Sequence, residues 1–432
     1  MSDELTGLLQ RAIQRAESKG ASAADAIGVD YVEGNVRVRL GEVETIQRAR
    51  QRRLGLRVFF GKSQAITASG DLRPETLDRL VDDTCDMARV TAEDPFSGLP
   101  DAAACAAAHV QRPDLYDPAG EDFDLEAGAD WARRAEAAAM DADPRIDNSE
   151  GGEFGFSSVL RTYAASGGIQ GSYRSSSFSG YVVPVARHEG TMERDWWFTQ
   201  RRKFGDLESP ETIGRIAAER TLRRLGATQA KTCKVPVVWD ARMASRLIGY
   251  LASAASGYAI YRGASYLRDR LGDRVASDAI TLVDDGTLAG GMGTKPYDGE
   301  GIGTTRKALV HEGVLQSYLL DTYSARKLEM ESTGNAARSV GDAPTVGATN
   351  LHLLPGEVEP SALLDGIKDG FYVTELIGFG VNTTTGDYSQ GASGLWIRDG
   401  KLAEPVNEIT IAGTLNDMLC NVDLVANDLD VH

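Results

Sequence analysis

The chain has 432 residues, and its 46 Lys and Arg against 63 Asp and Glu give a formal net charge of −17. That acidity argues against a nucleic-acid partner, because a phosphate backbone attracts dense basic patches and repels an acidic surface. Apolar residues make up 42% of the chain, yet no apolar run reaches the roughly 18 residues of a membrane span. The composition therefore predicts a globular protein without nucleic-acid or membrane contacts.

The first quarter of the chain predicts a helix, several strands and a second helix. Leu5 and the apolar residues after it recur at three- and four-residue spacing, which is typical of a helix that ends before Gly20. From about residue 24 to 70 the apolar residues alternate, as in antiparallel strands. Pro74 then opens a second helix with one apolar face.

The same order recurs in the second quarter. Leu125–Met140 has a helical pattern, residues 154–199 contain four strand-like runs between Gly-rich turns, and Pro210 opens another helix. We therefore predict an N-terminal domain over residues 1–230 that contains two helix–strands–helix units and an internal duplication. The two predicted units are residues 1–92 and 124–228.

Past a boundary near residue 230 the pattern changes. Lys234–Trp239 predicts a strand, and a helix is predicted from Met243 to Tyr258. Glycine-rich turns then dominate, so residues 231–432 are predicted to form a mostly antiparallel β domain with a few helices. The fold class predicted for the whole chain is α+β. Four dipeptides are typical of hairpin turns: Asp285-Gly286, Asp298-Gly299, Glu312-Gly313 and Asp399-Gly400.

The cysteines and the start of the chain indicate its compartment. The four cysteines are widely spaced and form no Cys-x-x-Cys pair, which favours reduced, structural thiols. No basic segment followed by an apolar core opens the chain, so no secretory signal is predicted. We expect a cytoplasmic protein.

Motifs of known chemistry fail on spacing or context. Gly61-Lys62-Ser63 lacks the first glycine of a phosphate-binding loop and lies between two strands, so a hairpin turn is favoured. His188-Glu189 and His311-Glu312 lack the second histidine that a zinc-protease helix needs, and both precede glycine. No nucleophile motif is present either. The motifs in the sequence therefore do not identify an active site.

Six segments in the second half resemble the TldD/PmbA (TldE) family, the bacterial and archaeal proteins labelled modulators of DNA gyrase. Their order along the chain matches that family, and with the helix–strands–helix pattern before them the resemblance extends over the whole chain. The segments are Tyr261–Ser265, Leu282–Thr287, Tyr297–Gly301, Ser332–Arg338, Gly380–Ser389 and Glu408–Gly413.

Within that family, the resemblance places this chain in the PmbA/TldE branch. The TldD-like branch carries a His-Glu-x-x-x-His helix that binds zinc. Aligned on Arg262-Gly263-Ala264-Ser265, those three positions hold Ile248, Gly249 and Ser253. None of these side chains can bind zinc or act as a general base, so no metal and no catalytic residue is expected in this chain. Family members usually extend beyond Asn421–Leu429 with a Gly-containing tail, so the end at His432 suggests a truncation.

The resemblance implies the non-zinc subunit of a heteromeric TldD/TldE-type metalloprotease that acts on unfolded peptides or small proteins. The TldD-type partner would supply the zinc, and this chain would not be catalytic alone. Candidate peptide-binding residues are Arg262, Thr333, Gly334, Asn335 and Arg338. For all five the alternative is fold maintenance, with arginines that brace loops and Gly or Asn at positive φ.

Two other functions stay open at this point. One is a catalytically inert, homodimeric interaction protein that regulates a protein partner. The other is a hydrolase without metal chemistry, which the missing nucleophile motif disfavours.

Overall fold

A computed structural model of the chain describes residues 2–106 and 114–429. Helices alternate with mainly antiparallel strands, which confirms the predicted α+β class. The N-terminal half consists of α1 (Ser2–Ser18), β1 (Ala23–Arg39), β2 (Glu42–Phe60), β3 (Ser63–Ser69), α2 (Pro74–Val90), α3 (Ala102–Ala106), α4 (Leu125–Met140), β4 (Ile146–Ala165), β5 (Ile169–His188), β6 (Thr191–Arg194), β7 (Trp197–Arg201) and α5 (Pro210–Leu222).

One antiparallel sheet connects the two N-terminal units. Its strand order is β3-β2-β1-β4-β5-β6, and β7 also pairs with β5. The first strand of each unit lies at the centre, where β1 pairs with β4 over 14 residues from Asp25↔Ala165 to Val38↔Gly152. Each unit thus adds its own strands outward from a shared central pair. The predicted duplication of sequence itself stays a prediction.

Strands β4 and β5 are longer than the sequence predicts. Helix α4, in contrast, begins and ends at the predicted residues. Asp124 caps that helix, because its side chain accepts a hydrogen bond from the Glu126 amide at 3.0 Å. Small residues on its inner face let the sheet approach closely: a Cβ at Gly152 would lie 2.7 Å from the Ala132 carbonyl oxygen. A close helix-to-sheet contact therefore accounts for that glycine.

The elements of the C-terminal half are β8 (Val237–Trp239), α6 (Ala241–Ala254), α7 (Gly257–Tyr261), β9 (Leu282–Asp285), β10 (Arg306–His311), β11 (Val314–Leu315), α8 (Thr322–Lys327), β12 (Ala336–Ala337), β13 (Thr345–Val346), β14 (Leu351–Leu353), β15 (Asp369–Ile377), β16 (Asp387–Arg398), β17 (Lys401–Thr414) and α9 (Leu415–Cys420). Their strands form two four-stranded sheets, ordered β11-β10-β9-β14 and β17-β16-β15-β8, and the short pair β12-β13. Named strands of this half pair antiparallel except β8 with β15.

Two predictions about this half were wrong. The single helix Met243–Tyr258 is two helices, because the chain breaks at Ser256 to form a bridge with Leu319. Asp285-Gly286 forms no hairpin: the Asp285 side chain bonds the Thr287 amide, and the chain leaves the sheet there. The Glu312-Gly313 and Asp399-Gly400 hairpins are confirmed, with φ of 45° and 78° and of 46° and 76°.

Two further expectations concern the chain end and membranes. The end at His432, where a missing tail is expected, lies outside the described residues. Of the helices in residues 2–106 and 114–429, none is both long and apolar enough to cross a membrane.

Candidate functional site

Helix α6 carries the three positions that the resemblance assigns to a zinc motif. Ile248 is buried in the apolar core of the C-terminal half, with 6% of its surface exposed. Gly249 and Ser253 lie away from that core, and the Ser253 hydroxyl donates to the Gly249 carbonyl oxygen at 2.8 Å. Among the described residues, no three His, Cys, Asp or Glu side chains are grouped so that they could hold a metal ion.

Arg262, the first candidate peptide contact, lies at the C-terminal end of α7 and is exposed. Its guanidinium stands 4.9 Å from the centre of the Tyr258 ring and donates to the Tyr258 hydroxyl. This cation–π contact fixes the side chain in place while leaving it accessible to a partner.

The turn before β12 consists of Thr333, Gly334 and Asn335. The side chains of Thr333 and Asn335 form hydrogen bonds inside the protein. The Thr333 hydroxyl accepts from the Leu320 amide at 2.7 Å and donates to the Asn335 side-chain oxygen at 2.7 Å. Gly334 has φ +69°, and a Cβ there would lie 2.8 Å from the Gly303 carbonyl oxygen. The turn is therefore built around contacts within the chain.

Asn335 is completely buried and donates a hydrogen bond to the buried carboxylate of Asp284. Its amide nitrogen donates to Asp284 Oδ2 at 2.8 Å and to the Gly347 carbonyl at 3.0 Å. Lys307 and Thr349 also donate to Asp284. Burial alone would raise the pKa of Asp284, but these donors hold that pKa below its ordinary value.

Arg338 belongs to a buried group of four charges that joins the two halves, which we name the ion quartet: Asp25, Arg57, Glu300 and Arg338. Arg338 Nη1 lies 2.9 Å from Asp25 Oδ1, and Arg57 Nη2 lies 2.6 Å from Asp25 Oδ2. Arg57 also contacts Glu300 Oε1 at 3.3 Å. All four residues are at most 7% exposed, and the charges balance.

A cavity of about 300 Å³ lies beside the ion quartet, between the N-terminal sheet and loops of the C-terminal half. We name it the interface cavity. Strands β1, β4 and β5 form one side of it, and residues 295–299 and 336–339 form the other. Of the five predicted binding residues, Arg338 lines this cavity. Its charged and aromatic lining residues are Arg161, Tyr163, Tyr173, Lys295, Tyr297, Asp298 and Arg338.

Asp298 and Lys295 contribute opposite charges to that cavity. The Asp298 carboxylate accepts backbone N–H bonds from Glu300, Ile302 and Ala336 at 2.8–3.1 Å. Burial, helped by the neighbouring Glu300 charge, nevertheless raises the pKa of Asp298 to about 7. Burial lowers the pKa of Lys295, whose ammonium group has one long contact, 3.5 Å to the Ala336 carbonyl.

Sequence reasoning did not find the interface cavity. It interpreted Asp298 as a turn residue, and it gave no role to Arg161, Lys295 or Tyr173. The available signal was the pair of carboxylates Asp298 and Glu300 within Tyr297–Gly301. That pair does not predict which residues face it across the cavity, because those residues come from β4 and β5.

Family models match three parts of the chain. The PmbA/TldA metallopeptidase domain 1 matches residues 24–88, the central domain matches 118–225 and the C-terminal domain matches 232–432. The metalloprotease PmbA of Escherichia coli O157:H7 is 35% identical over 430 residues, which cover 98% of this chain and 92% of that relative. The chain belongs to the PmbA/TldA metallopeptidase family.

Another relative and two solved structures are also similar to the chain. A PmbA homologue of Haemophilus influenzae is 35% identical over 99% of this chain and 92% of its own length. The crystal structure of a modulator of DNA gyrase from Bacteroides thetaiotaomicron superposes with a TM-score of 0.91 at 27% identity, covering 99% of this chain and 95% of that one. TldE from Thermococcus kodakarensis has the same fold, with a TM-score of 0.84 at 20% identity and coverage of 98% and 94%.

Proposed function

We propose that this chain is the non-zinc, PmbA/TldE-like subunit of a heteromeric metalloprotease that acts on unfolded peptides or small proteins. A TldD-type chain would bring the zinc ion and the glutamate that activates water. This chain would complete the complex and would not be catalytic alone. Its family membership supports a role in proteolysis. The side chains at the three zinc-motif positions of α6 support the PmbA/TldE branch over the TldD branch.

The observation behind that choice is the chemistry of α6. Zinc in proteases is bound by nitrogen, sulfur or carboxylate oxygen, and its bound water needs a basic side chain. Ile248 offers a buried hydrocarbon, Gly249 offers no side chain, and the Ser253 hydroxyl is used within the helix. A zinc site at these positions would need three new side chains, one of them polar within the core.

Peptide contact in this chain is proposed for Arg262. It is the exposed member of the five candidates, and a guanidinium can bind a carboxylate with two hydrogen bonds. Thr333, Gly334 and Asn335 instead form a turn with contacts inside the C-terminal half, and Arg338 bonds Asp25 of the N-terminal half. Unfolded chains would suit such a complex, because extended backbone can pair with strand edges whatever its side chains are.

Mixing the purified chain with a TldD-type chain tests the proposal. We expect the two to co-elute on size exclusion, the zinc to follow the TldD-type chain, and the mixture to cleave an unfolded peptide faster than either chain alone. A variant of the TldD-type chain without the motif glutamate should assemble but not cleave. Failure to co-elute, or stoichiometric zinc in this chain alone, would contradict the proposal.

Arg262→Ala tests the peptide contact within the same assay. We expect a higher KM for the unfolded peptide with unchanged co-elution. Arg187→Ala is the matched control, since Arg187 is a solvent-exposed arginine of β5 in the other half. Equal KM values for the two variants would remove Arg262 from the proposal and leave the subunit assignment in place.

The alternative function is a homodimeric interaction protein without catalysis. It predicts that the chain forms a stable dimer alone and ignores the TldD-type chain, so the co-elution experiment separates the two. The proposal also includes a cytoplasmic location and no direct contact with nucleic acid. The acidic net charge supports the latter.

A further inference from the structure

The interface cavity contains two cations that form no ion pair within the described part of the chain. Arg161 donates to the main-chain oxygen of Arg338 at 3.3 Å, and Lys295 approaches the Ala336 oxygen at 3.5 Å. Both partners are neutral carbonyl groups. Both cations are partly buried, and a cation that is taken even partly out of water normally has a carboxylate or phosphate partner, because removing a charge from water is costly.

The remaining charges do not neutralise this pair. The ion quartet beside it is already balanced, with two carboxylates and two guanidiniums. Among the described residues that line the cavity, Asp298 is the one carboxylate, and three backbone amides already donate to it. Even with Asp298 ionised, Arg161 and Lys295 outnumber the one carboxylate, so the cavity carries an excess of positive charge.

One buried donor in the cavity wall, Nη2 of Arg338, has no hydrogen-bond partner among the described residues. Arg338 itself is 7% exposed. Buried polar groups in native proteins are nearly always hydrogen-bonded, so this orphaned donor needs an explanation. An acceptor inside the cavity would provide it.

The rest of the wall suits an organic molecule. The Tyr297 ring lies 6.2 Å from the Tyr163 ring and 5.3 Å from the Tyr173 ring, which places apolar surface beside the cations. The volume of about 300 Å³ is at the lower end of ligand pockets, which span about 300–1,000 Å³. Ser339, which also lines the cavity, is exposed, so the cavity reaches solvent at that end.

We propose that the interface cavity binds an organic carboxylate, with Arg161, Lys295 and Arg338 as donors and the tyrosine rings against its carbon skeleton. A free small dicarboxylate and the C-terminus of a short peptide offer the same chemistry. The site lies within one chain, so it goes beyond the proposed function and does not depend on a TldD-type partner.

Calorimetric titration of the isolated full-length chain tests this site. The probes are succinate, N-acetyl-alanyl-alanine, the C-terminal amide of that dipeptide, and inorganic phosphate. We expect saturable binding of succinate, of N-acetyl-alanyl-alanine or of both. Tighter binding of succinate would indicate a free dicarboxylate as the ligand, and tighter binding of the dipeptide would indicate a peptide C-terminus. The amide should bind at least about tenfold more weakly than its acid, because it lacks the charge-assisted hydrogen bonds.

The substitution Lys295→Met tests whether the carboxylate binds in this cavity. It should weaken carboxylate binding about tenfold, while the melting temperature stays equal or rises, because the lysine has no ion pair to lose. Lys234→Met is the control, since it removes the same charge from an exposed position, and it should bind as the wild type does. If Lys295→Met does not fold, Arg161→Gln replaces it with the same expectation.

Three results would overturn the proposal. Absence of saturable carboxylate binding would remove the ligand, and tighter binding of phosphate than of either carboxylate would remove its organic character. Equal carboxylate affinity of wild type and the folded cavity variant would move the binding elsewhere. None of these results bears on co-elution with a TldD-type chain.

Discussion

The two halves of the molecule are stabilised in different ways. The N-terminal half buries apolar side chains between one continuous sheet and its helices, with Phe154 and Phe178 at the centre of its core. The C-terminal half has an apolar core as well, but many of its strands have only two to four residues, and its loops are fixed by buried polar groups such as Asp284, Asp298 and Asn335. These polar residues lie in segments that resemble family motifs, and their side chains mainly form hydrogen bonds that hold the loops in place. This comparison makes predictions that differ between the halves.

The largest effect is expected where the halves meet. Arg57→Met removes the cation that pairs with both Asp25 and Glu300, which leaves Asp25 with Arg338 alone and takes from Glu300 the cation it pairs with. Breaking a buried ion network typically costs about 3–5 kcal/mol of unfolding free energy. A urea titration followed by fluorescence measures it, and two separate transitions would show that the halves have come apart.

Arg398→Met is the matched control for that substitution. Arg398 pairs with Glu404 and Asp369 on the surface, where solvent screens the charges. We expect little change in its urea midpoint. Equal midpoints for the two variants would mean that the ion quartet does not hold the halves together.

The second effect is confined to the C-terminal half and depends on pH. Asp284→Asn replaces an acceptor of hydrogen bonds from Lys307, Asn335 and Thr349, so we expect a loss of about 2–3 kcal/mol at pH 7. Since the pKa of Asp284 is lowered in the fold, its contribution is present above the unfolded pKa of about 4 and is lost as pH falls further.

Comparing wild type with Asp284→Asn across pH 7 to pH 3 measures this contribution. The difference in urea midpoint should shrink below about pH 4. The exposed Asp278→Asn in the same half should differ little from wild type throughout. A difference that stays constant with pH would show that packing, and not the charge of Asp284, stabilises the loops.

A third and smaller effect concerns the turn before β12. Gly334→Ala forces an alanine to φ +69° and places its Cβ 2.8 Å from the Gly303 oxygen. Left-handed backbone alone costs an L-residue about 1–2 kcal/mol. Gly41→Ala in the N-terminal half is the control, with φ +82° and no atom within 4 Å of the new Cβ. If Gly334→Ala loses no more stability than Gly41→Ala, the loop of the C-terminal half is not tightly packed.

The same contrast explains how much the sequence could predict. In the N-terminal half, α4 was predicted to its end residues, because its pattern is long and its cap is local. In the C-terminal half, Ser256 breaks a helix through a bridge to Leu319. Ion partners such as Asp25 and Arg338 lie 313 residues apart. Periodicity carries no information about such distant contacts, so the interface cavity could not be predicted, and the branch was chosen from resemblance.

The smallest effect compares one substitution in two helices. Gly249→Ala on α6 introduces a Cβ with no atom within 4 Å, so we expect a gain of about 0.5–1 kcal/mol from helix propensity. Gly214→Ala on α5 should destabilise instead, because its Cβ would lie 2.3 Å from the Ala135 oxygen. Opposite shifts in melting temperature would show that α5 is packed against its neighbour and that α6 is open at Gly249.

Activity adds a second measurement at Gly249, the residue that the resemblance aligns with the glutamate of the zinc motif. If α6 has no catalytic role, Gly249→Ala should be more stable and equally active in the mixture with a TldD-type chain. A stabilised variant that assembles but cleaves slowly would mean that another backbone or a peptide approaches Gly249 closely in the complex. The open face of α6 would then belong to the working surface of the protease even though it carries no zinc ligand.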